Sequence, residues 1–238
     1  MADQKWSNRD FGALPSVLVA AHELKSPLAL VRQLSLLLED DQLQADKRLE
    51  LQRQVSQVST GALKLVEDLA LTANLSPSLF PLEPVNPLAV CRQVADEISP
   101  MAKLYGHQVT WPRRKRSNEL VVANGVLLNR ILTNFIANAL KYSQAGLPID
   151  IIVKQTKGLV RIGVRDRGPM MARREYRKLI DEMATMKTVR TRPDSSGLGI
   201  YVASQFAQAM DGQIGLIRHR DGLTFYVDMP ISRQMSWL

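Results

Sequence analysis

Two runs of apolar residues spaced by three and four fill the first third of the chain, and that period decides what it can fold into. The first stripe runs from Leu14 through Val17, Leu18, Ala21, Leu24, Leu28, Val31 and Leu34 to Leu38. After Glu39-Asp40-Asp41-Gln42 a second takes in Leu49, Val55, Val58, Ala62, Leu65, Leu69 and Thr72. Residues so spaced line one face of an α-helix, so residues 8–78 are expected to form a helical hairpin. Two such helices have too little facing surface to bury both stripes. Pairing with a second copy into a four-helix bundle, and hence a homodimer, is the expected solution; packing on the rest of the same chain is the alternative.

A Pro-rich connector, Ser76-Pro77 to Pro84-Val85-Asn86-Pro87, ends the helical section, and the pattern then changes. A helix is expected over about 88–103, short strands at 107–111 and 119–123, and a long helix after Asn124-Gly125. Alternating strands follow at 149–154 and 159–165 around Lys157-Gly158. A helix over about 198–211 and a hairpin, 213–218 and 224–229, joined through Asp221-Gly222, complete the pattern. Helices and mostly antiparallel strands in this order give an α+β fold, with helices on one face of a mixed sheet over residues 84–232.

Composition narrows the setting. With 45% hydrophobic and 23% charged residues, the 238-residue chain is neither disordered nor fibrous. The single cysteine, Cys91, closes no disulfide within the chain and builds no zinc site, which suits a reducing compartment. No run reaches the ~18 apolar residues of a membrane span, and MADQKWSNRD lacks a signal-peptide pattern, so a cytoplasmic protein is expected. The net charge of +8 calls for an explanation, with a phosphate-rich ligand and nucleic acid as rivals.

Chemistry-bearing residues fall in four places. In the first helix, His22-Glu23-Leu24-Lys25-Ser26-Pro27 puts a proline inside the helix, where it removes the bond to the Glu23 carbonyl at a cost of roughly 3 kcal/mol. A neutral imidazole is a nucleophile that an adjacent carboxylate can orient or deprotonate; taken alone, His22 beside Glu23 reads better as a solvated pair. In the long helix, Asn134, Asn138, Lys141 and Tyr142 share one face while Leu132, Phe135, Ile136, Ala139 and Leu140 can turn to the core. Two amides suit Mg²⁺, an ammonium suits phosphate and a phenol ring can cover a base, although a merely polar helix face has the same spacing. Asp166-Arg167-Gly168 follows a strand, where a carboxylate can accept the amino group of adenine. Ser195-Ser196-Gly197-Leu198-Gly199 opens a helix, whose unpaired N–H groups can hold phosphate. The last two are weak signals singly; their fixed order with the Asn-rich helix makes coincidence improbable.

This combination resembles the kinase core of two-component sensor histidine kinases over nearly the whole chain. His22 to Leu28 is similar to the family's H-box, Asn134 to Ser143 to its N-box, Asp166-Arg167-Gly168 to its first glycine box and Gly197-Leu198-Gly199 to its second. The resemblance implies an Hsp90-like ATP-binding domain and Mg²⁺ held by Asn138, with Asn134 nearby. It implies adenine read by Asp166, a nucleotide supported by Lys141 and Tyr142, and a lid packing through Gly197 and Gly199, with Leu198 between them. It further implies that His22 takes the γ-phosphoryl group with help from Glu23 and passes it to an aspartate of a response regulator receiver domain. Ser26 stands where the family usually has Thr or Asn for phosphatase action. Two departures accompany the likeness: Pro169 and Met170 follow Gly168, where another glycine is usual at the second position, and the insertion 169–196 lacks paired phenylalanines, with Tyr176, Leu179, Ile180 and Met183 as candidates to fill in. A degenerate kinase acting mainly as phosphatase or docking scaffold is therefore the first alternative.

Input is expected through an upstream partner, an absent segment or the hairpin itself. Nucleic-acid binding rests on the charge and on Arg113-Arg114-Lys115-Arg116, but no aromatic residue interleaves with that run and no groove-reading motif is visible, so it is not expected. Residues 161–192 hold ten Lys or Arg against four acids, which concentrates most of the excess charge around the expected nucleotide lid.

Overall fold

The computed structural model describes residues 17–112, 119–156, 158–184 and 198–233, with backbone alone described for 17–23, 182, 184 and 198. The basic run Arg113 to Arg116, Lys157 of the expected turn, and Gly197 with the segment before it lie outside the described residues. Two compact units divide between Ala73 and Asn74.

The first unit is the helical hairpin. Helix α1 (Val17–Leu38) runs unbroken through Pro27, and α2 (Ala45–Ala73) packs against it. The turn between them is fixed from α2: Arg48 donates to the carbonyls of Leu38 and Asp40 at 3.3 and 2.9 Å. A cation there satisfies carbonyls that the end of α1 leaves without intrahelical partners. Asp40 completes the turn by accepting from Gln42 N at 2.9 Å.

The second unit is built on a five-stranded sheet. Its elements are β1 (Glu83–Val85), α3 (Pro87–Leu104), β2 (Val109–Thr110), β3 (Val121–Ala123), α4 (Gly125–Tyr142), β4 (Ile149–Thr156) and β5 (Leu159–Arg165). There follow α5 (Arg173–Ala184), α6 (Leu198–Ala209), β6 (Gln213–His219) and β7 (Gly222–Pro230). The strand order is β2-β4-β5-β7-β6, parallel only between β2 and β4, while β1 and β3 form a separate antiparallel ribbon. Asparagines start two helices: Asn86 Oδ1 accepts from Leu88 N at 3.0 Å with Pro87 at the first helical position, and Asn124 Oδ1 accepts from Val126 N at 3.1 Å.

Period-two alternation separates the two faces of the sheet. Val160, Ile162 and Val164 of β5 and Phe225, Val227 and Met229 of β7 are buried under the layer of α3, α4 and α6. There Phe135 stacks on Phe225 with centroids 5.7 Å apart. The opposite face carries charge: Arg161 binds Asp228 through two hydrogen bonds of 2.8 and 2.7 Å and lies 3.6 Å over the Tyr226 ring, and Arg165 meets Asp221 at 2.7 Å. The sheet is mixed and the fold α+β, as the patterning predicts.

Two elements differ from the sequence reading. The Pro-rich connector contains β1, whose Pro84 sits in a two-stranded ribbon where a missing donor is tolerated. The insertion 169–196, over which no helix or strand is expected, contains α5. Its Leu179 is buried and its Tyr176 hydroxyl donates to Leu216 O of β6 at 3.1 Å, so packing on the sheet edge stabilises a strongly charged helix. Among the described residues no helix is long and apolar enough to cross a membrane.

Candidate functional site

Helix α4 is the centre of the site because its two faces have different jobs. Leu132, Phe135, Ile136, Ala139 and Leu140 are buried against the sheet, while Asn134, Asn138 and Tyr142 are half-buried and Lys141 is exposed. The Lys141 ammonium lies 5.3 Å from the centroid of the Tyr142 ring. Asn134 stands out: its Nδ2 is buried and makes no hydrogen bond. An unmet buried donor costs about 1–3 kcal/mol unless a ligand oxygen meets it.

The turn after β5 is brought to the C-terminal end of α4 by one bond to a side chain and one between backbones. Arg167 N donates to Ser143 Oγ at 3.1 Å and Gln144 N donates to Arg167 O at 3.0 Å. Gly168 lies so close that a Cβ there would overlap the Tyr142 carbonyl, so the position tolerates no side chain. Asp166, 3% exposed, receives Gly168 N at 3.2 Å and Leu223 N at 3.0 Å on Oδ1, while its own N–H donates to Leu223 O. Arg167 reaches back to Asp150 at 2.7 Å, and this bond raises the guanidinium pKa further; Thr110 Oγ1 donates to the same carboxylate at 2.7 Å.

The start of α6 comes to the other end of this stretch. A Cβ on Gly199 would stand 3.9 Å from Asn134 Oδ1, so Gly199 faces the amide directly. Asn134 and Tyr142 are eight residues apart, or ~12 Å along a helix, and the two glycine positions therefore bracket the polar face of α4. Sequence reasoning missed Gly222 and Leu223 in this site. Gly222 looks like an ordinary hairpin glycine, yet it has φ +134° and a Cβ there would overlap the Asp166 carbonyl. No local signal ties it to a residue 56 positions earlier.

Residues 123–233 match the family described as histidine kinase-, DNA gyrase B- and HSP90-like ATPases. The sensor protein CutS of Streptomyces coelicolor is 30% identical over 215 residues, covering 89% of this chain and 51% of CutS. The sensor protein kinase PmrB of Pseudomonas aeruginosa is 29% identical over 206 residues, covering 85% of this chain and 42% of PmrB. The chain belongs to the sensor histidine kinases. Among solved structures, full-length ShkA in complex with AMPPNP superposes with a TM-score of 0.63 at 28% identity, covering 94% of this chain and 47% of ShkA. Acinetobacter baumannii histidine kinase AdeS gives 0.62 at 18% identity, over 89% of this chain and 98% of that one, and shares the fold. The chain spans about half the length of the curated relatives CutS and PmrB.

In this member of the family the three H-box candidates lie on α1. His22 and Glu23 are helical in backbone, and Ser26 is exposed. The departures from the family pattern also have a local explanation. Met170 is 55% exposed and turns its side chain to solvent, so its bulk does not enter the turn, while Met171 is buried and its carbonyl accepts from Arg218 Nε at 2.6 Å. Of the candidates for the missing phenylalanines, Leu179 is buried and Tyr176 anchors α5 to β6; Ile180 and Met183 are half-buried. The residues present fit a nucleotide: an unmet buried donor on Asn134, a buried carboxylate held by backbone donors, and glycines at both close approaches. Among the described residues no group of three or more His, Cys, Asp or Glu is gathered for a metal, so any divalent ion at this face would rely on amide and ligand oxygens.

Proposed function

We propose that this chain is an ATP-dependent protein histidine kinase that phosphorylates His22 and passes the phosphoryl group to an aspartate of a response regulator. The observation that carries the reading is the convergence on α4 of Gly168 at Tyr142 and Gly199 at Asn134, beside the unpartnered Nδ2 of Asn134. The complex of ShkA with AMPPNP, an ATP analogue, supports it from a relative at 28% identity.

In this reading Asp166 accepts from the adenine amino group, with its carboxylate orientation set by the N–H groups of Leu223 and Gly168. The Tyr142 ring and the Lys141 ammonium support base and phosphate, and the first turn of α6, with Leu198 and Gly199, lends backbone N–H groups to the phosphates; Gly197, the other glycine of the motif, lies outside the described residues. Asn138, with Asn134 behind it, offers amide oxygen to Mg²⁺, which neutralises phosphate charge when bound. The neutral imidazole of His22 attacks the γ-phosphorus. The N–P bond forms, the bond to the bridging oxygen breaks, ADP leaves with the electron pair, and the ring proton passes to Glu23. Ser26, four residues on along α1 and exposed, positions water for the reverse loss of phosphate from the regulator. The hairpin pairs with a second copy.

The test is autophosphorylation with γ-labelled ATP and Mg²⁺. Acid-labile, alkali-stable label is expected on the wild type and absent from His22→Gln, while Asn138→Ala lowers it at least about 100-fold, as for loss of a group that holds the metal. Label retained by His22→Gln would overturn the acceptor assignment.

A further inference from the structure

We propose that the cleft between the end of α3 and the loop after α4 is a second ligand site, shaped for a small organic monocarboxylate, whose occupancy alters nucleotide binding. The cleft has a volume of about 360 Å³ and is lined by Lys103, Gly106, His107, Gln108, Gly146 and Pro148. That volume falls within the range of small-molecule sites, and the cleft is open to solvent, with Lys103, Gly106, Gln108 and Gly146 exposed. None of the six residues belongs to the nucleotide face described above.

Its walls are built rather than incidental. Gly146 N donates to Gly106 O at 3.0 Å, Ile149 N to Gln108 O at 2.8 Å, and the buried His107 holds Leu147 O through Nδ1 at 3.0 Å. Gly106 and Gly146 adopt φ of +74° and +84°, which glycine alone takes up readily.

Charge and donors choose the ligand. No lining residue is acidic, and the Lys103 ammonium forms no ion pair among the described residues. The backbone N–H groups of Gly106, His107 and Gly146 are spent on Lys103 O, Ala102 O and Gly106 O. A phosphate dianion would therefore find one cation and few free donors, whereas a carboxylate is matched by a single ammonium. Because a carbonyl only accepts, His107 Nδ1 carries a proton toward Leu147 O, so this ring holds the loop in place. Within the lining, Pro148 offers apolar surface for the ligand's body.

One loop serves both sites. Residues 143–148 close the cleft on one side, and on the other Ser143 Oγ and Gln144 N bond Arg167 of the turn that carries Asp166. A ligand that fixes the loop changes the cost of ordering that turn, and the effect must be reciprocal. This coupling rests on the nucleotide reading above; the existence of the carboxylate site does not.

The full chain, ¹⁵N-labelled, would be titrated with benzoate and with its neutral counterpart benzamide, first without nucleotide. Saturable shifts of the Gly106, His107 and Gly146 amides are expected with benzoate, with binding at least about tenfold tighter than benzamide. Lys103→Gln, at an exposed position, should weaken benzoate about tenfold, and Lys154→Gln on β4 should not. Absence of shifts, equal binding of benzamide, or a Lys103→Gln variant that binds like wild type would each overturn the site. With AMPPNP and Mg²⁺ added, the two affinities should change each other by the same factor of about two or more. Independent binding of both ligands overturns the coupling alone. Failure of AMPPNP to bind overturns the nucleotide reading and the coupling with it, while the benzoate result still decides the site.

Discussion

The hairpin and the ATP-binding unit solve the same problem to different degrees. Leu127, Leu128, Ile131, Leu132 and Ile136 of α4 are fully buried within their own unit. In the hairpin, by contrast, Leu34 and Leu51 are the buried apolar side chains among the described residues, and Leu28, Leu30, Leu36, Leu37, Leu49, Leu63 and Val66 are exposed. Charge divides the same way: residues 1–73 hold eight basic and ten acidic side chains, residues 74–238 hold 23 and 13. A layered sheet closes its core internally, and its surface charge is free to serve a ligand. Two helices leave an apolar stripe whose burial needs another surface.

The strongest way to break the contrast is to damage the closed unit alone. Gly222→Ala combines a φ of +134° with overlap on the Asp166 carbonyl, so a cost of about 2–5 kcal/mol is expected. Hydrogen exchange should show lost protection in β5 and β7, and weaker nucleotide binding, with α1 and α2 unchanged. Loss of protection in the hairpin as well would show that the two units fold as one.

The second test works on the open unit. Leu63 is 65% exposed, so in an isolated hairpin Leu63→Glu should change stability by less than about 0.5 kcal/mol. If a second copy covers it, each dimer loses two buried leucines, about 1.5–3 kcal/mol apiece, and buries two charges. Sedimentation should then report a dimer dissociation constant raised at least about 100-fold. An oligomeric state that does not change would remove the reading of the stripe as a dimer face.

How much of this was legible follows the same divide. Periodicity alone placed α1, α2 and α4, because an amphipathic helix writes its buried face into neighbouring residues at steps of three and four. The Asn134 and Asn138 face was visible for the same reason. Gly222 shows what was not: it is required by the Asp166 backbone far away in sequence, and no local pattern records such a contact, whereas Gly168 is named by its motif and only its reason, the close approach of the Tyr142 carbonyl, is added by the structure. Helix α5 was missed because its sequence is so charged. Two anchors, the hydroxyl of half-buried Tyr176 on Leu216 O of β6 and the buried Leu179, fix it there, and tertiary packing outweighs what the local pattern suggests.

The smallest expected effect concerns pH and belongs to the closed unit alone. His219 Nε2 lies 2.8 Å from Thr224 Oγ1, and the pKa of the ring is lowered from 6.5, first by burial and then by the Arg165 guanidinium, against an opposing pull from Asp221 and Asp166. A histidine with a depressed pKa is held neutral in the folded chain while the unfolded chain binds the proton. Stability is therefore complete above about pH 6.5 and falls as the pH drops toward the lowered value. Asp221 behaves in the opposite chemical sense with the same sign. Its carboxyl is held below 3.8 mainly by the bond from Arg165, so its contribution is lost only in more acidic solution. The two windows are separate. Thermal unfolding of the ATP-binding unit should decline gently between pH 7 and 5, and His219→Gln, whose amide can still meet Thr224, should flatten that decline without altering the acid limb below pH 4. A slope unchanged in His219→Gln would assign the decline to other groups. A hairpin whose own unfolding followed the same slope would mean that the two units share their titration, and that the contrast between them ends at charge.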